Sequence, residues 1–107
     1  MMISFEEFSK LDLRIGRILE VQDIEGKDRL YLLKVNIGEK TIQIVAGIKT
    51  FYKKEELLNK LIVVLTNLEP KKIAGIESCG MLLAAAKNDK LTLIGPYQEI
   101  EVGSKIK

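Results

Sequence analysis

Two adjacent lysines stand where the chain passes from one apolar run to the next. Lys71 and Lys72 directly follow Pro70, and Gly75 comes three residues after them. Proline has no backbone N–H and restricts the preceding residue to extended geometry, so the first apolar run must end here. Glycine tolerates backbone angles that other residues resist. We predict two buried strands joined by a short basic connection that binds phosphate; a surface loop with solvated lysines is the alternative.

Polar and sulfur-containing side chains of other types accompany these lysines. Asn67 and Ser78 offer directional hydrogen bonds, and Met81 offers an adaptable apolar contact. Lys34 and Lys49 add charge from neighbouring elements. A protein that binds nucleic acid needs cations for phosphate, hydrogen-bonding groups for ribose or base edges, and flat or apolar groups for stacking. These residue types match that need, although packing in the core or in a turn is an equally simple role for Ser78 and Met81.

The composition argues against catalysis. The 107 residues contain no histidine, which is the commonest general base and the commonest metal ligand. The single cysteine, Cys79, excludes an internal disulfide and any CxxC motif. Its place in an alternating segment favours a small buried residue over an activated thiol. We predict a binding protein rather than an enzyme, with no metal and no cofactor; an enzyme centred on Cys79 is the least favoured alternative.

The charge of the chain is distributed unevenly. The formal net charge is only +2, but residues 40–90 hold nine basic and five acidic side chains, whereas residues 1–39 hold six basic and eight acidic ones. A basic half of this kind is the electrostatic footprint that phosphate requires. Aromatic residues make up only 6% of the chain. If most of them lie in the core, the target is a folded RNA recognised by shape and backbone rather than by stacked single-stranded bases.

The termini and the apolar runs indicate location. No apolar run approaches the roughly 20 residues that a membrane span needs. The first seven residues, Met1–Glu7, are acidic and lack the apolar region of a signal peptide. We therefore expect a cytoplasmic protein with no membrane partner.

The hydrophobic pattern predicts an all-β fold with one short helix. Runs with period-2 alternation, or short apolar runs bounded by turn residues, are typical of strands. Ser4 and Glu7 form a capping-box pattern that predicts a further helical turn at residues 5–10. The predicted strands are residues 11–21, 29–37, 41–46 and 61–65, with the short helix within 49–60 and closure of a barrel at 73–86. Three strands, a helix and two strands is the order of an OB-fold, a five-stranded Greek-key barrel.

A C-terminal extension follows the predicted barrel. We expect one domain over residues 1–107, with the barrel at about 11–86 and the extension at about 87–107. Within the extension, 91–94 and 100–102 are predicted as short strands separated by a Gly95-Pro96 turn. The extension either caps the barrel or contacts a second subunit.

Three segments resemble the tRNA-binding domain family. They are N-L-E-P-K-K-I-A-G-I-E-S-C-G-M at 67–81, D-L-R-I-G at 12–16 and F-Y-K-K-E-E-L at 51–57. The family includes free-standing tRNA-binding proteins and the C-terminal domain of methionyl-tRNA synthetases. The resemblance implies an OB-fold that binds tRNA without reacting with it, as the separate subunit or partner of a methionyl-tRNA synthetase. It also favours a binding role for Ser78 and Met81 over a packing role.

Two further expectations come from the same resemblance. Free-standing members dimerise through the extension, so we expect a homodimer with an interface mainly after residue 87. The apolar residues available for it are Leu91, Leu93, Ile94, Ile100 and Val102, with Phe5 and Phe8 near the start. Residues 23–28 depart from the family, which often has His-Pro in this loop, so the resemblance gives the loop no binding role.

A protein chaperone of the secretion pathway is the alternative function. It resembles a divergent relative of the same fold, which typically lacks the Ser-x-Gly-Met pattern. The residues from Ser78 to Met81 carry that pattern and argue against this alternative.

Overall fold

Antiparallel strands dominate the computed structural model, which describes residues 1–107. This confirms the predicted all-β class. Two four-residue helices are present, α1 (Phe5–Phe8) and α2 (Lys54–Leu57), where one short helix and one helical turn were predicted. The strands are β1 (Leu13–Ile24), β2 (Lys27–Asn36), β3 (Thr41–Ala46), β4 (Leu61–Leu65), β5 (Lys71–Ile73), β6 (Ile76–Ser78), β7 (Met81–Leu82), β8 (Ala84–Lys87) and β9 (Lys90–Leu93).

Five of the strands form one sheet in the order β3-β2-β1-β4-β7. Strand β1 bends within it, because its register with β2 shifts between Ile18 and Glu20. Gly16 allows the close packing before this bend, since a Cβ there would lie 2.8 Å from Val35 Cγ1. The bend changes the direction of the long β1 strand. The first part of β1 pairs with β4, and the second part pairs with β2.

Strand β4 is buried on both faces, as its continuous apolar run predicts. Ile62 and Val64 belong to the main core, whereas Val63 and Leu65 belong to a second apolar cluster with Leu13 of β1. We call this second group the outer cluster; it consists of Leu13, Ile15, Val63 and Leu65. The sheet therefore has an apolar layer on each side of β4.

The sheet does not close into the predicted barrel. Strands β3 and β7 are the two edges of the sheet, yet the backbone N–H of Cys79 donates to the carbonyl of Gln43 on β3 at 2.9 Å. The sheet must curl to bring its edges together in this way. No ladder joins them, because residues 73–86 form several short strands instead of one closing strand.

The C-terminal extension lies along β1. The 100–102 strand predicted there is not formed. Instead, Gly103 donates its backbone N–H to the Ile15 carbonyl, and Ile106 donates to the Leu13 carbonyl. Gly103 has a φ of +93° and packs against Gly38, whose added Cβ would lie 2.8 Å from Gly103 Cα. A close contact between two glycines thus determines the path of the chain end.

Asp12 connects the start of β1 to the end of β4. It accepts hydrogen bonds from the Thr66 hydroxyl and from Arg14 Nε, the latter at 3.0 Å. The Thr66 hydrogen bond, followed by that of Arg14, holds the pKa of Asp12 below its usual value of 3.8. Lys105 of the C-terminal extension approaches the same carboxylate at 3.7 Å. One carboxylate therefore joins three segments of the chain.

We expect Asp12→Asn to lower the free energy of unfolding by about 1 kcal/mol at pH 7, because it loses charged hydrogen bonds at a partly exposed site. Since folding depresses the Asp12 pKa, its contribution is fully present above 3.8 and is lost as the pH falls through the lower folded value. The difference in the free energy of unfolding between wild type and variant should therefore disappear in acid. Urea unfolding at pH 7 and near pH 2 measures it, with exposed Asp28→Asn as the control. An equal difference at both pH values would contradict the assignment.

Candidate nucleic-acid interface

A cleft of 430 Å³ lies between β3 and the hairpin of β5 and β6. Its lining is mainly apolar and includes Ile44, Leu68, Ile73, Met81 and Leu91. Lys71 and Ser78 also line it. Of the seven residues predicted to bind, these three are brought together: Lys71, Ser78 and Met81.

The predicted basic connection is itself a β-hairpin. Ala74 and Gly75 form its turn with φ values of +55° and +77°. Lys71 pairs with Ser78 across the hairpin, and Lys72 pairs with Glu77. Because neighbouring residues of a strand point to opposite faces, Lys71 lies on the cleft side while Lys72 lies on the outer side beside a carboxylate. The two lysines are both exposed but face different surroundings.

Ser78 has a structural role at the floor of the cleft. It is only 5% exposed, and its hydroxyl oxygen accepts the backbone N–H of Val45 at 2.9 Å. Without this acceptor, a buried N–H would lack a partner. Cys79, predicted as buried, is half-buried, and the chain then turns at Gly80 to place the exposed Met81 on the cleft wall.

Lys34 is linked to the hairpin through a side chain that the sequence did not indicate. Its Nζ donates to Gln43 Oε1 at 2.9 Å, and Gln43 Nε2 donates to the Glu77 carbonyl at 2.7 Å. Gln43 thereby joins β2, β3 and β6. Its position between apolar residues of a strand is the only sequence signal for this role.

Lys49 does not line the cleft and is ion-paired. Its Nζ is 2.9 Å from one oxygen of Asp23, and Lys54 Nζ is 2.8 Å from the other. The hydrogen bond to Asp23 raises the pKa of Lys49, and those from Lys54 and then Lys49 lower the pKa of Asp23. Lys49 also lies 5.9 Å from the centroid of the Tyr31 ring. Asp23, in the loop that departs from the family pattern, thus forms ion pairs with two lysines.

Asn67 connects the end of β4 to the segment before β1. Its Oδ1 accepts the backbone N–H of Asp12 at 2.9 Å, and its Nδ2 donates to the Lys10 carbonyl at 2.7 Å. Its amide is thus engaged by the protein itself. The structure therefore gives Asn67 a positioning role for the chain that leads into the hairpin.

Neither of the two four-residue helices could span a membrane. The side chains of His, Cys, Asp and Glu do not gather into groups of three or more that could hold a metal ion. The candidate site thus consists of a mainly apolar cleft whose lining carries one cation, Lys71, and one carboxylate, Glu69, beside the hairpin that also holds Lys72.

A small all-β domain with an apolar cleft beside a basic hairpin is the class of protein that this geometry defines. The chain belongs to the tRNA-binding domain family: the family described as "Putative tRNA binding domain" matches residues 13–105. Methionine–tRNA ligase of Pyrococcus furiosus is 53% identical over 105 residues, which are 98% of this chain and 14% of that protein. The chain thus spans about one seventh of that curated relative.

Solved structures share the fold over the whole chain. A MetRS-related protein from Pyrococcus horikoshii has a TM-score of 0.93 and 33% identity, covering 100% of this chain and 99% of its own. The chaperone CsaA from Bacillus anthracis has a TM-score of 0.91 and 31% identity, covering 100% of both chains. The relatives therefore include both a synthetase-related protein and a chaperone.

Proposed function

We propose that this protein binds tRNA without catalysing a reaction on it. The RNA backbone follows the hairpin of β5 and β6, and an apolar part of the RNA enters the adjoining cleft. The observation that carries the proposal is that Lys71 and Met81, ten residues apart in sequence, line the same apolar cleft. A cation beside an apolar surface is the combination that phosphate and an unstacked base require.

We expect Lys71→Glu with Lys72→Glu to weaken tRNA binding without unfolding the protein. Both lysines are exposed on the hairpin, and surface substitutions usually change stability by no more than about 0.5 kcal/mol. Each lost phosphate contact should make the log–log salt dependence shallower by roughly 0.7 to 0.9. Fluorescence anisotropy of labelled tRNA at several salt concentrations measures both quantities.

Lys40→Glu with Lys107→Glu is the matched control, because it changes the net charge equally at exposed lysines outside the hairpin. The two single variants separate the faces: Lys71→Glu should have the larger effect, since Lys71 lines the cleft and Lys72 lies beside Glu77. An unchanged affinity and salt slope in the hairpin double variant would remove these lysines from the site.

Protein chaperoning is the second candidate function. The structural similarity to CsaA and the apolar lining of the cleft favour it, because such a cleft also fits an apolar side chain of an unfolded polypeptide. The pattern from Ser78 to Met81 and the basic hairpin favour tRNA. A gel-shift comparison of folded tRNA, unstructured RNA and an unfolded polypeptide distinguishes the two functions.

The finer assignment is a tRNA-binding subunit or partner of methionyl-tRNA synthetase in the cytoplasm. The similarity to methionine–tRNA ligase and to a MetRS-related protein supports it. Co-purification of a tagged copy of this protein with the synthetase, with and without ribonuclease, tests direct association.

A homodimer is part of the same proposal. Leu91 and Leu93 pack against the core of their own chain. These two residues are therefore removed from the predicted dimer interface. Phe5 is 78% exposed and Ile94 is 37% exposed. Both lie close to the outer cluster: Phe5 contacts the ring of Phe8, which packs against that cluster, and the Ile94 carbonyl accepts the backbone N–H of Val63. A second copy placed on this face would cover exposed apolar surface and double the cationic surface offered to tRNA.

We expect Phe5→Glu with Ile94→Glu to give a monomer with weakened tRNA binding, because charges would replace apolar contacts. Leu58→Glu, at a position 46% exposed just after α2, is the control and should remain dimeric. Light scattering at micromolar concentration reports the mass. A wild-type mass of a single chain would rule out the dimer.

A further inference from the structure

The aromatic side chains are more accessible than the sequence suggested. Tyr31 is the only buried ring, whereas Phe5, Phe51 and Tyr97 are exposed by 78%, 43% and 110%. Phe8, Tyr31 and Tyr52 pack in or against the apolar clusters, so only half of the six rings lie in the core and the condition for recognition by shape alone is not met. An exposed ring beside free cations is the usual platform for an unpaired base, so the surroundings of each exposed ring matter.

One exposed ring lies beside two unpaired cations. Phe5 is followed directly by two glutamates. Tyr97 shares its shallow pocket with Arg17, whose guanidinium is 2.7 Å from a Glu99 carboxylate oxygen, and with Lys60, the one unpaired cation there. Phe51 lies in an open groove with Lys87 and Lys90, neither of which forms an ion pair. The groove runs between the segment after β3 and the hairpin of β8 and β9.

Lys87 and Lys90 face each other directly across this hairpin. They are the last cross-strand pair before the two-residue turn of Asn88 and Asp89. Like charges at directly opposite positions repel and destabilise a hairpin. Asp89 is the one carboxylate that lines the groove, so the groove keeps a net positive charge. An anion bound between the two ammonium groups would remove the repulsion.

The opposite face of the hairpin packs against the protein. Leu91 and Leu93 contact the main core, which fixes the orientation of the ribbon. Alternation along the strand then places Lys90 and Thr92 on the other face, with their partners Lys87 and Ala85. All four of these residues line the groove, together with Ala86 and Leu91 of the core-facing side. The small side chain of Ala85 leaves the groove open beside the two lysines.

We propose that this groove is a second RNA site, which binds an unpaired nucleotide segment. The base stacks on the Phe51 ring, and the phosphates bind Lys87 and Lys90. The site is separate from the cleft beside Lys71, with which it shares only Leu91. The inference rests on the proposed tRNA-binding function and adds the part of the RNA that is recognised: a base outside a helix, since a paired base offers no free face to the ring.

The absence of tryptophan makes the site directly observable. Phe51→Trp retains a stacking surface and introduces the only tryptophan of the chain. We expect saturable quenching of its fluorescence by a short single-stranded oligouridylate and by tRNA, but not by a blunt RNA duplex. Adding Lys87→Gln and Lys90→Gln should make the salt slope for the oligouridylate shallower by about 1.4. Phe51→Ala should lower its affinity by about five-fold or more.

Two controls distinguish binding at this groove from the effects of net charge and of an exposed tryptophan at another place. Lys40→Gln with Lys107→Gln removes the same charge elsewhere and should leave the quenching curve nearly unchanged. Tyr97→Trp places the reporter at another exposed ring, beside a single unpaired lysine, and should show much weaker quenching by the oligouridylate.

Anisotropy of labelled tRNA is recorded in the same titration. If tRNA binds while the tryptophan fluorescence of the Phe51→Trp variant stays constant with both RNAs, the second site is wrong and tRNA binding stands. If no RNA binds by anisotropy, the proposed function itself fails. Quenching by a polyglutamate peptide and not by the oligouridylate would also overturn the nucleotide assignment.

Discussion

Replacing Gly80 with alanine is expected to lower the free energy of unfolding by about 3 kcal/mol and to weaken tRNA binding. Gly80 has a φ of +79°, which costs a non-glycine residue about 1 to 2 kcal/mol. An added Cβ would also lie 2.8 Å from the Leu65 carbonyl oxygen and 3.2 Å from Ile42 Cδ1. Relieving such a clash typically costs a further 1 to 3 kcal/mol. The shift would displace Met81 from the wall of the cleft.

Gly75→Ala is the matched control for this prediction. Its φ of +77° is nearly the same, but an added Cβ there meets no atom within 4 Å. Urea unfolding of both variants therefore separates backbone strain from the steric clash. Gly75→Ala should cost only about 1 to 2 kcal/mol. Equal losses in the two variants would show that the close approach at Gly80 does not matter.

The main strands could be predicted because their pattern is local. Residues 41–46 and 61–65 have the predicted bounds, since alternation or a continuous apolar run marks each one. The end of the chain could not be predicted in this way. Its hydrogen bonds to Leu13 and Ile15 depend on partners almost the whole chain length away, and no local signal indicates them.

The types of residue at the candidate site could be predicted from the sequence, but their ion-pair and hydrogen-bond partners could not. Lys71 and Met81 line the cleft, as their spacing around two turns allows. Lys49 is instead held by Asp23, and Ser78 is occupied by the Val45 N–H. Both partners belong to other strands or their ends, so they become neighbours only through the sheet register. Sequence reasoning therefore identifies cations but not which of them are already ion-paired.

A chain that ends at Lys87 is expected to lose cooperative unfolding, the largest effect among these predictions. It would lack β9 and the apolar contacts that Leu91 and Leu93 make with the main core. It would also lack the hydrogen bonds from residues 103–106 to β1 and the Ile94 carbonyl that accepts the Val63 N–H. Small domains are stable by only about 5 to 15 kcal/mol, so losing these contacts together exceeds what the fold tolerates.

Circular dichroism during urea unfolding tests this expectation. Removing Met1–Ile3 is the control, because these residues are exposed and the capping residue Ser4 is retained. That variant should unfold like the wild type. Because truncation at Lys87 is expected to abolish folding, it does not test dimerisation, which needs the point variants of Phe5 and Ile94. A truncated chain that still unfolds cooperatively, with a midpoint close to the wild-type value, would show that the extension is dispensable for the fold.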